Sequence, residues 1–153
     1  MLSPIPIIGE PMKALDTYHK IKSLEKENKL NKARILRDKA LTTLNPKYLG
    51  PILRLEGMDK LYRLKDYKGA ITALEKAEST LEVSPTFYGV SQPDAILSGI
   101  AISAYYLGDI EKAKLYRDKF VELYKGLKKY SKREGAFKWH ENTIRCLNKS
   151  ING

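Results

Sequence analysis

Residues 95–107 constrain the fold more than any other stretch, because none of them carries a charge and many of them are small. The small residues are Ser98, Gly99, Ala101, Ser103 and Ala104. A helix that is apolar or small on nearly every side belongs in a protein interior. Gly108 can then end this helix in the left-handed conformation, and Asp109 offers an acceptor for the free N–H groups of the next one. Residues 93–120 therefore predict two helices joined by a tight turn, with the first helix buried.

Helical spacing of apolar residues continues on both sides of this pair, and no segment is typical of a strand. The pattern predicts seven helices, at about residues 12–27, 31–44, 52–64, 66–81, 94–107, 110–124 and 132–148. Asn28 is the predicted end of the first helix, and Asp66 is the predicted cap of the fourth. Gly57 weakens the third helix by about 1 kcal/mol relative to alanine. The inward residues of that helix are predicted to be Ile52, Leu55, Met58, Leu61 and Tyr62.

Prolines and a capping pattern set the expected limits of a single domain, residues 12–149. Three prolines predict an extended N-terminal arm over residues 1–11. Ser131 and Glu134 have the spacing of a capping box, which predicts a last helix over about residues 132–148. Residues 150–153 are then expected to be a tail. A chain of 153 residues is ordinary for one domain.

Composition restricts the class of protein. A single cysteine, Cys146, excludes an internal disulfide and a zinc site built from cysteines. The N-terminal segment has no basic residue ahead of its apolar run, so it is a poor signal peptide. Nothing in the chain approaches the roughly 18 consecutive apolar residues of a membrane-spanning helix. We expect a soluble cytoplasmic protein without a membrane partner.

Three segments repeat the same pattern. Residues 32–41 (KARILRDKAL) and 112–121 (KAKLYRDKFV) share Lys-Ala and Arg-Asp-Lys in register, and residues 68–77 (KGAITALEKA) have the same plan with one residue inserted. The aligned alanines are Ala33, Ala70 and Ala113, which lie 37 and 43 residues apart. Self-similarity at such a period indicates stacked helix pairs that cannot bury their apolar faces alone.

The repeated segments resemble the tetratricopeptide repeat family, whose unit of about 34 residues is a helix–turn–helix. The best matches are residues 65–77 (KDYKGAITALEKA) and 105–113 (YYLGDIEKA), with a weaker one at 29–33 (KLNKA). The chain departs from the family in two respects. It lacks the family's tryptophan near the start of the first helix, and its third repeat has Phe120 at the position where the first two repeats have the small residues Ala40 and Ala77. The resemblance implies a right-handed α-α superhelix of three hairpins, about residues 12–45, 51–82 and 94–125, with residues 132–148 as a capping helix.

The resemblance also implies a function, since members of this family bind peptides in a groove lined by the first helix of each pair. By register, the groove would present Lys22, Lys26, Asp59, Tyr62, Arg63, Ser98, Ile102, Tyr105 and Tyr106. The Lys, Asn and Arg pattern that clamps a C-terminal carboxylate in some members does not line up here. The expectation is a non-catalytic scaffold or adaptor for a peptide or partner protein. Packing between helices is the alternative interpretation of the three tyrosines.

No residue pattern indicates catalysis, a metal or a cofactor. His140-Glu141 has no second histidine four residues on, so the zinc metalloprotease pattern fails. Cys146 has no third catalytic partner near His140 in the sequence, and a packed thiol is the simpler interpretation. There is no glycine-rich phosphate loop and no serine elbow. We expect a protein that is not an enzyme.

Charge supports a second hypothesis. The formal net charge is +10, and there is no Lys or Arg between Lys76 and Lys112, so the basic residues lie towards the two ends of the chain. The best nucleic-acid candidates surround Tyr130 and are Lys125, Lys128, Lys129, Lys132 and Arg133. Trp139 is either a stacking platform or a cover for the last apolar face. The protein would then be an RNA- or DNA-binding repeat protein.

A third hypothesis is a homo-oligomerising structural module. The contact between copies would be the uncharged helix over residues 95–107 or the loop that contains Phe87 and Tyr88. The sequence alone does not distinguish a monomer from a homodimer.

Overall fold

The structure, a computed structural model, describes residues 5–82 and 88–153, and within these ranges it contains helices and no strand. The α-helices are α1 (Ile5–Lys26), α2 (Leu30–Thr43), α3 (Gly50–Met58), α4 (Tyr67–Ser79), α5 (Tyr88–Ser91), α6 (Pro93–Leu107), α7 (Ile110–Lys128) and α8 (Lys138–Asn152). A 3₁₀ turn, Pro46–Tyr48, precedes α3, and a π-helical turn, Asp59–Arg63, continues it. The all-α prediction is confirmed. None of the helices in these ranges is both long and apolar enough to cross a membrane.

The helices pack in the order of the chain. α1 lies against α2, α3 against α4, and α6 against α7. Between these pairs, α3 contacts α1 and α2, α6 contacts α4, and α8 contacts α6 and α7. Each pair therefore buries its apolar residues against the next pair, and α8 covers the end of the stack.

The turn inside each pair contains one residue with positive φ: Asn28 (61°), Lys65 (55°) and Gly108 (89°). The residues after Asn28 and Gly108 each donate a backbone N–H to a carbonyl five residues earlier, at 2.8 and 2.9 Å. The residue after Lys65 donates to a carbonyl six residues earlier, at 2.7 Å, because the π-helical turn is wider. The three turn residues lie 37 and 43 residues apart, which is the spacing of the aligned alanines. The sequence repeat is therefore also a repeat of local structure.

The helix caps predicted at Asp66 and Asp109 are present in the structure. The carboxylate of Asp66 accepts from the backbone N–H of Gly69 at 2.9 Å, and that of Asp109 accepts from Lys112 at 3.1 Å. Asn28 ends α1 in the left-handed conformation. These features depend only on residues within one turn, which is why the sequence predicts them.

Close approach of α3, α4 and α6 explains two glycines. A Cβ atom at Gly57 would collide with the side chain of Leu74, and one at Gly99 would lie 2.8 Å from Leu74 Cδ1 and 2.9 Å from Met58 Cε. Leu74 is fully buried. Gly57 therefore weakens its own helix but allows α4 to pack against it.

Phe120 lies seven residues after Ala113, at the position that Ala40 and Ala77 occupy in the first two pairs. The two alanines are buried between helices, and Phe120 is fully buried as well. Its ring stacks on His140, with centroids 5.8 Å apart, and meets the edge of Trp139 at 5.7 Å. The larger side chain fills the space between the last pair and α8.

The predicted N-terminal arm is wrong for residues 5–11, because α1 begins at Ile5. Pro6 lies in the first turn of α1. A backbone N–H at this position has no acceptor within the helix, so the N–H that proline lacks costs no helical hydrogen bond. Pro11 lies within the helix. Residues 1–4 of the predicted arm are outside the described ranges.

The predicted start of the last helix is also wrong. The hydroxyl of Ser131 accepts from the backbone N–H of Arg133 at 3.4 Å, and Gly135 has a φ of 77°. This local turn keeps the chain out of helical conformation until Lys138. α8 then continues to Asn152, so residues 150–152 are helical and not a tail.

Candidate functional site

A cleft of about 440 Å³ lies between α8 and the region where the π-helical turn after α3 meets α4 and α6. We call it the tyrosine cleft. One side is formed by Leu61, Tyr62, Lys65, Tyr67, Ile102, Tyr105 and Tyr106, and the other by Asn142, Thr143, Cys146, Leu147 and Ser150. The first side is largely aromatic, and the second offers amide, hydroxyl and thiol groups.

Three of the four tyrosines are in ring contact with one another, and Tyr62 lines the same cleft. Tyr67 and Tyr106 stack, with ring centroids 5.1 Å apart and ring planes at 18°, and Tyr105 meets Tyr106 edge-on at 5.4 Å. Tyr62 is 55% exposed and Tyr106 is 60% exposed. Burial of the Tyr62 hydroxyl, with a smaller effect of Tyr106, raises the pKa of Tyr62. The Tyr62 phenol is therefore neutral at physiological pH, so it can both donate and accept a hydrogen bond.

The α8 side of the cleft contributes residues that are not among the nine predicted groove residues. Thr143 Oγ1 donates to the carbonyl of Trp139 at 2.8 Å, and Asn142 Oδ1 accepts from Arg145 at 2.9 Å. Cys146 is exposed in the cleft. Among the described residues that line the cleft, Lys65 carries the one charge. No sequence signal points to the α8 residues, because their place in the cleft depends on how α8 crosses α6.

The structure brings four of the nine predicted groove residues together in the tyrosine cleft: Tyr62, Ile102, Tyr105 and Tyr106. Lys22 and Lys26 are exposed on α1 and do not line the cleft. The helical spacing predicts that Tyr62 points inward with Leu61, but it is exposed at the cleft. The π-helical turn changes the helical register there, so an α-helical wheel misplaces it.

Two predicted groove residues are corrected because they are buried. Ser98 lies inside α6 packing, and its hydroxyl donates to the carbonyl of Ala95 at 3.2 Å. Asp59 is 1% exposed. Neither side chain is accessible to a partner in this structure. The resemblance assigns groove residues by their position within one repeat. It does not show that side chains of a neighbouring helix pair bury Ser98 and Asp59.

Asp59 is instead the centre of an ion cluster. Arg34 donates to both of its carboxylate oxygens, at 2.9 and 3.0 Å, and Arg37 donates at 2.8 Å. Arg63, another predicted groove residue, donates at 3.3 Å and also binds Glu25 at 3.0 Å. Burial by itself would raise the pKa of Asp59, but the hydrogen bonds from the three arginines hold it well below its usual range. The cluster joins α1, α2 and the π-helical turn after α3.

The predicted nucleic-acid residues lie at the end of α7 and in the following loop. Lys125 is 3.4 Å from Glu122, and the Lys128 ammonium lies 5.6 Å from the Tyr124 ring centroid. Tyr130 is 89% exposed, and the other three cations, Lys129, Lys132 and Arg133, are exposed as well. Trp139 is half-exposed, while its edge contact with Phe120 covers part of the apolar face.

The uncharged helix is not available for contact between copies. Most of α6 is buried by α4 and α7, with Tyr106 and Leu107 exposed at its end. That version of the oligomer hypothesis is corrected, because the apolar surface it requires is covered within the chain. The other version depends on Phe87, which lies outside the described residues.

In residues 5–82 and 88–153, no group of three His, Cys, Asp or Glu side chains lies close enough together to hold a metal ion. His140 Nε2 lies 3.0 Å from Asp94 Oδ2, and Phe120, Tyr124, Phe137 and Trp139 surround the ring. The tyrosine cleft offers apolar packing, neutral hydrogen bonds and the charge of Lys65 as its means of binding. Comparison of the chain with protein-family models, with curated proteins and with solved structures gives no match.

Proposed function

We propose that this protein is a non-catalytic interaction module that holds a peptide, or a segment of a partner protein, in the tyrosine cleft. The observation that carries the proposal is the aromatic surface of Tyr62, Tyr67, Tyr105 and Tyr106, which remains open beside α8. Tyrosine is a frequent anchor in interfaces, since it gives a large rigid contact area at low entropy cost. The volume of about 440 Å³ is suited to a few side chains and is within the usual range of ligand pockets.

We further propose that the three helix pairs form a right-handed superhelix of the tetratricopeptide type. The positive φ shared by the turn residues Asn28, Lys65 and Gly108 supports this arrangement, as does packing in chain order. On this proposal the cleft occupies the groove side of the second and third pairs, with α8 as its far wall. The proposed module is cytoplasmic and acts as a scaffold or adaptor.

Replacing both Tyr62 and Tyr106 with Ala should weaken peptide binding by tenfold or more, since a truncated aromatic anchor costs about 2 kcal/mol. Peptides selected by display against the wild-type protein provide the ligands, and fluorescence anisotropy measures their dissociation constants. Both side chains are more than half exposed, so circular dichroism and the melting temperature should change little.

The matched control for this experiment is Tyr130→Ala, which removes an exposed tyrosine that lies outside the cleft. It should leave peptide affinity unchanged. Coupling a bulky maleimide to Cys146, the one cysteine of the chain, should block the same peptides from the opposite wall. Peptides that bind the double variant as tightly as the wild type would exclude the cleft as the site.

The exposed Tyr130 among exposed cations favours nucleic-acid binding as a second candidate function. A single-stranded oligonucleotide bound there should lose affinity with salt, with a slope of log K against log salt of about −0.7 for each phosphate that the protein neutralises. The double variant Lys129→Gln, Arg133→Gln should make this slope shallower by about 0.7 for each phosphate that is no longer neutralised. Removing Tyr62 and Tyr106 should have no effect on it. A salt-independent affinity, or none, contradicts this function.

A further inference from the structure

Lys65 lies in the connection between the π-helical turn and α4, with a backbone φ of 55°. The corresponding turns of the other two pairs have Asn28 and Gly108, the residue types that adopt this left-handed conformation most readily. The conformation is strained for a lysine, because its Cβ comes close to the backbone carbonyl oxygen. Strain of this kind is found most often at binding and catalytic sites, so the position requires an explanation.

The side chain of Lys65 makes no internal contact that offsets this strain. It is exposed, and it forms no ion pair, hydrogen bond or ring contact within residues 5–82 and 88–153. The two cations of the preceding π-helical turn are both paired, Lys60 with Glu56 at 3.2 Å and Arg63 with Glu25 at 3.0 Å. The ammonium of Lys65 therefore remains free to bind a group from outside the chain.

The position of Lys65 gives it access to a cavity that can hold such a group. It lines the tyrosine cleft together with Tyr62 and Tyr67, opposite the wall formed by α8. No aspartate or glutamate is among the described residues that line the cleft, so its one charge is positive and unopposed there. The volume of about 440 Å³ leaves room for more than one side chain of a ligand.

The phenol groups of the cleft add hydrogen-bond donors to this charge. The hydroxyls of Tyr62, Tyr67, Tyr105 and Tyr106 make no hydrogen bond to any described residue. A carboxylate accepts hydrogen bonds from both an ammonium and a phenol O–H, and bonds to an ionised acceptor are stronger than neutral ones. The tyrosine rings offer apolar contact area as well. The cleft thus suits an apolar side chain together with a carboxylate.

We propose that Lys65 makes the tyrosine cleft selective for acidic peptides: its ammonium binds the side-chain carboxylate of an Asp or Glu, while the tyrosine rings hold an apolar side chain of the same peptide. This rests on the function proposed for the cleft, and it adds the class of ligand and the residue that selects it. Selectivity then accounts for a lysine at a position where asparagine or glycine would be less strained.

Display of random heptapeptides tests the selectivity. The C-terminus of each peptide is joined to the display protein, so every carboxylate in the random segment belongs to a side chain. Selection against the wild type should enrich Asp and Glu at one position, and selection against Lys65→Asn should lose this enrichment. Lys65→Arg keeps the charge and should keep the enrichment. The matched control is Lys68→Gln, which removes an exposed lysine of α4 outside the cleft and should also keep it.

A double-mutant cycle then measures the ion pair. The selected peptides are synthesised as amides, with the acidic residue and with its Asn or Gln counterpart. Lys65→Asn should weaken binding of the acidic peptide about fivefold, the upper range for a partly exposed ion pair, and should not affect its counterpart. Peptides that require Tyr62 and Tyr106 but show neither enrichment nor coupling to Lys65 overturn this inference alone. Absence of any peptide that requires the two tyrosines overturns the proposed function as well.

The melting temperature gives a readout that needs no ligand. Asparagine adopts the left-handed conformation at lower cost, so Lys65→Asn should raise the melting temperature by about 2 °C. A purely structural lysine predicts the opposite, because a cation near the end of a helix interacts favourably with the helix dipole and its removal would destabilise the protein. A lower melting temperature together with unchanged peptide selectivity overturns the proposal.

Discussion

Replacing Asp59 with Asn should destabilise the protein by about 3–5 kcal/mol, the usual effect of removing one partner from a buried ion pair. The carboxylate is almost fully buried and binds three guanidinium groups. In the variant, the buried Arg37 loses its buried partner and keeps only the exposed Asp38, and the neutral amide turns N–H donors towards other donors. Chemical denaturation at pH 7, followed by circular dichroism, measures the change in the free energy of unfolding.

The matched control is Asp38→Asn. Asp38 binds the same arginine as Asp59, with Arg37 Nε 3.2 Å from its carboxylate, but its side chain is 65% exposed. Its loss should cost at most about 1 kcal/mol, as for other surface pairs. Adding Arg37→Met to Asp59→Asn should recover part of the stability, since replacing a buried ion pair by apolar groups is often close to neutral. Equal effects of the two Asp substitutions would mean that burial does not strengthen the Asp59 cluster.

The stabilising effect of Asp59 should also depend on pH in one direction. Its pKa is lower in the folded protein than in the unfolded chain, where an aspartate has a pKa of about 3.9. Its contribution is therefore complete above that unfolded value and is lost as the pH falls towards the lower folded pKa. The stability difference between the wild type and Asp59→Asn should be constant near neutral pH and should shrink below about pH 4. A difference that grew on acidification would contradict the direction of this pKa shift.

Replacing Phe120 with Ala should cost about 3–5 kcal/mol, because it removes a fully buried ring and leaves a cavity. The ring contacts Trp139 and His140 of α8, and Tyr124 of α7 also stacks on His140. Much of the loss should therefore fall on α8. Hydrogen exchange should show that amide protection decreases more in residues 138–152 than in α3 or α4.

The same substitution tests the link between stability and function. α8 forms one wall of the tyrosine cleft, so peptides that depend on Tyr62 and Tyr106 should lose affinity in Phe120→Ala. Val121→Ala, a half-buried neighbour on α7, is the control and should affect both properties less. Normal protection of α8 in Phe120→Ala would show that other contacts are sufficient to hold the last helix.

Some corrections have a common physical cause. The helical period predicts Tyr62 inward and the register predicts Asp59 in a groove, but both residues lie in the π-helical turn. In the same way, the Ser131–Glu134 spacing fits a capping box, yet the chain forms a separate turn before α8. In each case a local pattern fits two backbone conformations, and packing of other elements selects between them.

The sequence by itself determines the helices, the positive-φ turn residues Asn28 and Gly108, the caps Asp66 and Asp109, and the repeat of Ala33, Ala70 and Ala113. These features depend on interactions between residues that are close in the sequence, so the order of the residues is sufficient to predict them. The tertiary structure alone decides that Asp59 is buried among arginines and that α8 closes a cleft over the tyrosines. The reason is that burial and charge pairing depend on which distant helices come together, and the local pattern of one helix is compatible with several such neighbours.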